Sequence, residues 1–586
     1  MSTQTFLRPL LLAASAPLAL ACAIPAIAQA QAIERNLPPA PQAEPQAIIA
    51  PNLTPNSQDD RPIGPTLSGI LLLGPQDEVR NAKLDGVSTG LVRRADNAAA
   101  RAALRPFIGK PMSRKLIAQV ESALARYYRE AGYPFVSLST PPQTIGGGLL
   151  QVRVVEFHDG AVTVTGAKGK DADRIRQDVR LQPGQAIDAP QLSADLDWIN
   201  RYPFHHAEAV FSPGDALSGT DLQLQVTDDK PWQVYAGYAN SGSASTGWDR
   251  YMLGGEVGGL IVPGSLLSYQ FTASPDFFDD HGSAFGDASH PEYLSHGLRA
   301  AFPVAPRQEI EVSFDHVETN QVAEPFKVRQ DTDELSVGYR TSLSNFSGLP
   351  GDLGLGVEAK SEQRDTFFGG ASVLNDTVQV YQFYADWTHA WTDMGGASNL
   401  DLAVHASPGG VGARNTGAAF AQFSNGRVIA GDYEYFTGQF SRSTRLPAGW
   451  SLSDTLIAQV AWKPLPDTEQ MGVGGADLVR GYTLDDGAYD RAFVLRNELR
   501  PPAVTFALPG AHMAAQASPF AFLDAGYGAQ EGPVVKTVRP ASVGAGTDLA
   551  LAPAVSVNVT GAYALDNAIA TRAGGWRLEA RAMVRF

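Results

Sequence analysis

The last eleven residues, WRLEARAMVRF (576–586), decide the fold. Trp576, Leu578, Ala580, Ala582, Val584 and Phe586 alternate with Arg577, Glu579, Arg581 and Arg585. Successive side chains of a strand point to opposite faces, so the segment reads as a strand with one apolar and one charged face. The same alternation recurs upstream. Phe493, Leu495 and Leu499 lie opposite Arg496, Glu498 and Arg500, and Val555, Val557, Val559 and Tyr563 oppose Ser556, Asn558 and Thr560. In a membrane barrel the charged face lines a wet lumen and the apolar face meets lipid. In a soluble sandwich the apolar face would be core, and periodicity alone does not separate the two.

From Lys230 onward no helical period survives for long. Sixteen alternating segments begin near Trp232, Trp248, Ser265, Leu294, Glu309, Asp333, Gly351, Thr377, Ser398, Tyr433, Ser451, Ala492, Pro519, Val538, Val555 and Trp576. That is about 22 residues per strand and connection, which suits tight turns on one side and longer loops on the other. The even count, the aromatic last residue Phe586 and an export signal favour the barrel. The expected fold is mainly β: a 16-stranded antiparallel transmembrane β-barrel over 230–586, preceded by two small α/β modules.

Composition narrows the function. The 586 residues carry 45 Lys plus Arg against 61 Asp plus Glu, a net charge of −16, with no basic run to suit nucleic acid. The single cysteine, Cys22, excludes a disulfide framework and a cysteine zinc site. Residues 1–30 read as a signal peptide: Arg8 is the positive start, Pro9 to Ile24 an apolar run, and Ala26-Ile27-Ala28 and Ala28-Gln29-Ala30 are small-x-small cleavage sites. Residues 31–65 hold eight prolines, so they read as an extended linker and a poor helix. The first module, 66–157, has a strand at 67–74, a helix capped by Ser113 with Leu116, Val120, Leu124 and Tyr128 on one face, and strands at 134–139 and 149–157. The second, 158–229, repeats the order with strands at 160–166, 206–212 and 220–228 and helices at 171–180 and around Leu192, Leu196 and Ile199.

These pieces resemble a family. YYREAGYPFVSLSTPPQ (127–143) running into LLQVRVVE (149–156), and NRYPFHHAEAVFSPGDALSGTDLQLQV (200–226), are similar to the two POTRA modules of two-partner secretion transporters, the ShlB/FhaC/HecB-like or TpsB family. GVGGADLVRGY (472–482) resembles the family's VRGY tip, carried by a long loop that folds back into the barrel, here 466–490. FLDAG (522–526) resembles the wall motif facing that tip, and AFVLRNELRPP (492–502) also fits. The resemblance implies a latch of Val479, Arg480, Gly481 and Tyr482 on a wall of Phe522, Asp524 and Gly526, with Arg480 paired to Asp524. It implies lumen charges Arg496, Glu498, Arg500, Arg577, Glu579 and Arg581, and a barrel-assembly signal at Phe586. One departure stands out: VVEG, which usually closes the first POTRA, is replaced by Val154-Val155-Glu156-Phe157-His158-Asp159-Gly160, which predicts a longer hinge between the modules.

No HExxH, GxSxG, GxxxxGK[ST] or EF-hand motif is present, so neither an enzyme nor a cofactor or metal site is expected. The expected function is export: the POTRA modules capture an unfolded partner in the periplasm, and the outer-membrane pore passes it to the surface. The implied partners are a secreted β-helical adhesin or haemolysin, outer-membrane lipids and the barrel-assembly machinery, with no nucleic acid. The rival readings are a barrel insertase, a diffusion porin, and a soluble all-β binding protein or enzyme.

Overall fold

A computed structural model describes residues 33–38 and 57–586, except 183, 203, 214–218, 229, 280–290, 324–325, 508–513, 533–534 and 553. The expected signal peptide lies outside the described residues.

In the first module, Gly69–Leu73 runs parallel to Leu149–Glu156, with Gly86–Ser88 and Val136–Ser139 at the two edges. Helices Ala98–Leu104 and Arg114–Glu130 cover one face. The Ser113 hydroxyl caps the longer helix by accepting the Leu116 N–H at 3.1 Å. That helix buries Leu116, Val120, Leu124 and Tyr128 against Ile70, Leu72, Leu150, Val152 and Val154. The second module repeats the topology. His158–Thr165 is parallel to Gly219–Asp228, which pairs antiparallel with His205–Pro213, and helices Gly169–Asp178 and Ala189–Ile199 pack behind.

The hinge is shorter than the sequence suggested. Only Phe157 separates strands Leu149–Glu156 and His158–Thr165. Its N–H donates to the Phe135 carbonyl at 3.1 Å, so the extra residues are absorbed into the two sheets. The modules also touch through the Phe135 and Phe211 rings, 4.4 Å apart, and an Ala189 N–H to Gly132 O bond of 3.0 Å.

The barrel strands are Trp232–Ala239, Arg250–Gly258, Leu266–Ala273, Tyr293–Ala305, Gln308–Ala323, Phe326–Ser342, Asp352–Phe368, Ala371–Asp393, Gly396–Pro408, Asp432–Arg445, Ser451–Ala461, Arg491–Arg500, Ala514–Ala529, Ala541–Ala552, Val555–Ala564 and Trp576–Arg585. All neighbours are antiparallel, and the last strand closes on the first from Tyr235↔Arg585 to Ala239↔Arg581. Short pieces Val504–Ala507 and Thr537–Val538 extend two of them. The faces alternate as expected: Leu355 and Val357 are exposed outside, while Lys360 and Glu362 are buried inside. The outward Leu253, Leu335, Leu355, Phe383, Leu402, Phe436, Leu456, Leu495 and Leu523 form the apolar wall a bilayer requires.

Three strands begin earlier than the sequence indicated. Those placed near Asp333 and Thr377 start at Phe326 and Ala371, the second joined to its neighbour by the tight turn Gly369-Gly370. Their outer ends expose both faces, as the neighbours Val373 and Leu374 show, so no apolar alternation marks them. The third contains Pro519, which lacks an N–H and reads as a boundary, yet it pairs with Thr547 inside strand Ala514–Ala529.

The second module is locked to the barrel end. Arg201 reaches Glu309 at 2.7 Å and Asp352 at 2.5 Å and stacks on Trp198, and Tyr202 also bonds Glu309. The backbone N–H of Arg307, in a turn between barrel strands, donates to Asp178 at 2.8 Å.

Candidate functional site in the barrel lumen

Residues 462–490 join strands Ser451–Ala461 and Arg491–Arg500 and turn back into the lumen. Val473, Leu478, Val479, Tyr482 and Tyr489 of this loop bury against Ile457, Ala492, Val494, Val538 and Ala564. The tip turns at Gly481, with φ +86°, and a Cβ there would lie 2.9 Å from that of Ala562.

Arg480 sits at this tip. Its Nε and Nη2 each donate to one Asp524 oxygen at 2.7 Å, and its Nη1 donates to Glu498 at 2.5 Å. The guanidinium lies 3.7 Å over the Phe522 ring. Arg480 is 3% exposed and Asp524 is fully buried, so both charges depend on one another for solvation. Val479 packs over Gly526, and the Tyr482 hydroxyl lies 2.7 Å from the Asp566 carbonyl.

The other sequence-singled charges fall into two groups. Glu498 is also held by Arg500, which bridges to Asp548, both at 2.6 Å. Arg496 donates to the Asp477 carbonyl of the loop at 2.7 Å, and Glu579 accepts the Gly481 N–H at 3.4 Å. Arg577 pairs with Glu579 at 3.2 Å and holds the Gly242 carbonyl at 2.9 Å. Arg581 is exposed further along that face. Phe586 stands at the barrel seam, its N–H donating to Val234 O at 2.8 Å, away from the loop.

Sequence reasoning missed the loop's stem. Glu469 is fully buried. It receives Lys360 Nζ at 2.9 Å, the Tyr435 hydroxyl at 2.7 Å and the Gln382 amide at 2.9 Å. Asp490 accepts the Leu465 N–H at 2.7 Å, and Asp486 accepts the Ala570 and Thr571 N–H groups at 2.8 Å. Glu358, Lys360 and Glu362 are legible as a charged strand face, but nothing local points to a partner more than a hundred residues away.

Residues 33–38, read as part of a linker, also lie in the lumen. Glu34 pairs with Arg250 at 2.7 Å, while Arg35 pairs with Glu334 and donates to the Thr468 carbonyl of the loop at 3.1 Å. Among the described residues no group of three or more His, Cys, Asp or Glu side chains is placed to hold a metal ion. The loop is thus held to the lumen wall by ion pairs and hydrogen bonds at both its stem and its tip.

The family model for haemolysin secretion/activation proteins ShlB/FhaC/HecB matches residues 218–550, more than half of the chain, and the ShlB-type POTRA model matches 79–156. The heme/hemopexin transporter protein HuxB of Haemophilus influenzae is 22% identical over 510 residues, covering 80% of each chain. The hemolysin transporter protein ShlB of Serratia marcescens is 22% identical over 324 residues, 54% of each. CdiB from Escherichia coli shares the fold, with a TM-score of 0.63 at 17% identity over 93% of this chain and 94% of that one. CdiB from Acinetobacter baumannii superposes with a TM-score of 0.53 at 13% identity over 91% of each chain. With a closed sixteen-strand barrel, an in-folded loop and periplasmic modules at its start, the chain belongs to the ShlB/FhaC/HecB family of outer-membrane two-partner secretion transporters.

Proposed function

We propose that the in-folded loop is the latch of this exporter and that its cargo is one large, unfolded, β-helix-rich adhesin or haemolysin. The observation that carries the latch is Arg480, forked onto Asp524, bonded to Glu498 and stacked on Phe522. A planar guanidinium suits such a three-sided hold, and each contact can be broken without chemistry. Cargo first meets the two modules, 66–157 and 158–229, whose strands Val136–Ser139 and His205–Pro213 lie at the sheet edges, where an extended segment would add as a further strand. It then enters the lumen as the tip withdraws. The reading needs no catalytic step and no cofactor. Phe586, exposed at the barrel seam, is the element we assign to recognition by the barrel-assembly machinery, and the outward apolar wall is the lipid contact.

The test is a mass-spectrometric comparison of secreted and surface proteins with and without the gene. Loss of one large protein supports the reading and names the cargo. Broad loss of barrel proteins would replace it with an insertase, and an unchanged profile under conditions where the barrel is expressed would overturn it.

A further inference from the structure

The lumen holds residues 33–38 by side chains, the Asn36 amide donating to the Tyr293 hydroxyl at 2.7 Å and Ile33 packing on Tyr293 and Val317, and also by their backbone. The Tyr293 hydroxyl donates to the Glu34 carbonyl at 2.5 Å, the Gln270 amide to the Asn36 carbonyl at 3.1 Å, and Arg299 Nε to the Pro38 carbonyl at 3.2 Å. Carbonyls 34, 36 and 38 are alternate groups, all aimed at the wall. This is the period of an extended strand, and here side chains supply the donors that a neighbouring strand would. Tyr293, Gly297 and Arg299 alternate on one face of strand Tyr293–Ala305, and Gln270 is the register partner of Gly297. Gly297 makes the approach possible, because a Cβ there would lie 2.9 Å from Asn36 O and 3.0 Å from Leu37 Cα. The wall is held ready: Gln270 accepts the Tyr235 hydroxyl at 2.9 Å.

A second observation points to a ligand. Asp315, the register partner of Gly297 on the next strand, is buried, and neither of its oxygens has a hydrogen-bond partner among the described residues. It offers a buried carboxyl to any hydrogen-bond donor, a backbone N–H included, on a chain lying along the same path.

We infer that Tyr293, Gln270, Gly297 and Arg299 form a binding track for extended polypeptide backbone, occupied by residues 33–38 in the closed channel and taken over by the transported chain. The inference rests on the reading that cargo threads the lumen unfolded. Three carbonyl contacts carry no side-chain information, so the track tolerates many sequences in turn, as a moving chain requires. Glu34 and Arg35 add the two ion pairs, to Arg250 and Glu334, that make the chain's own segment the resident one.

The test uses the purified channel in nanodiscs and fluorescence anisotropy of three labelled ten-residue peptides. One copies residues 31–40, the second scrambles them, and the third is an uncharged Ser/Ala/Thr sequence. A channel lacking residues 33–38 is expected to bind all three within about three-fold of one another, and the full chain at least about ten-fold more weakly. Gln270→Leu in the truncated channel is expected to weaken all three by about five-fold, the loss of one hydrogen bond. Binding of the copied peptide alone, equal binding by the full chain, or no effect of Gln270→Leu would each overturn the track. Where the truncated channel does not assemble, Glu34→Ala with Arg35→Ala in the full chain frees the segment and takes the same peptides. Peptide capture with an unchanged secretome on gene deletion would remove the transport reading and leave the track. A lost cargo without peptide capture would remove the track and leave transport.

Discussion

At its tip the loop is held by an arginine on a carboxylate, Arg480 on Asp524; at its stem it is held by a carboxylate on a lysine, Glu469 on Lys360. The tip rests on the wall made by strands Arg491–Arg500 and Ala514–Ala529, and the stem on the wall made by Asp352–Phe368, Ala371–Asp393 and Asp432–Arg445. The loop therefore crosses the lumen. Glu469 follows closely on the strand end Ala461, and its partners are rigid strand residues. Arg480 sits at the apex, on a glycine turn, far along the chain from either strand. Glu498 is also paired with Arg500. On our proposal the stem is the hinge and the tip the latch, and the distinction lies in where each hold sits on the loop rather than in burial.

The largest effect is expected at the hinge. Lys360→Met strips the cation from Glu469, Glu358 and Glu334, and stranding buried carboxylates costs about 3–5 kcal/mol. The temperature at which the folded band is lost in a heat-modifiability gel should fall most for this variant. An unchanged temperature would show that the stem is no anchor.

At the tip, Arg480→Ala and Asp524→Ala should be strongly non-additive, with a coupling of about 2–3 kcal/mol, and should raise channel conductance while the barrel keeps its gel mobility. Arg480→Lys should recover only part, because an ammonium cannot fork onto Asp524. Additive effects would break the latch.

Gly481→Ala should act on the tip alone, at a cost of about 1–2 kcal/mol, since it combines a positive φ with a close approach to Ala562. Open-channel probability is the readout, and a variant indistinguishable from the parent would show that the tip turn carries no strain.

The smallest effect lies away from both holds and serves as their control. Burial pushes the Asp178 carboxyl, at the junction of module and barrel, up to about 6, against the opposing pull of Arg174 and Arg307. The folded state then binds a proton that the unfolded chain releases. The folded junction is favoured as pH falls through about 6 toward the ordinary carboxylate range and opposed above it. Between pH 7 and pH 5 the gain is about 1 kcal/mol, readable as protection of the junction from protease, and Asp178→Asn should abolish the pH dependence. A loop conductance that followed the same titration would mean that junction and latch are not independent.

The tip was legible and the stem was not, for a physical reason. The VRGY run and FLDAG are compact motifs, so their residues could be named together, and Arg480 does meet Asp524. Glu469 lies in ordinary loop sequence, and Lys360 is one charge among several on its strand face. The segment 33–38 was hidden for a related reason. Proline density predicts an extended chain, but an extended chain can be free or can lie along a wall, and the same residues serve both. The hinge at Phe157 was misjudged because inserted residues can lengthen strands as easily as loops.

What the sequence determined by itself is what is written locally: sixteen alternating segments, the side of each that faces water, two strand–helix–strand modules, and a loop motif. Alternation with period two survives in any short window, so it needs no partner to be read. What only the tertiary structure decided is which lumen charges meet, how the loop crosses between walls, and where residues 33–38 lie. Those depend on the register around a closed sheet, which brings residues hundreds of positions apart to within hydrogen-bond distance.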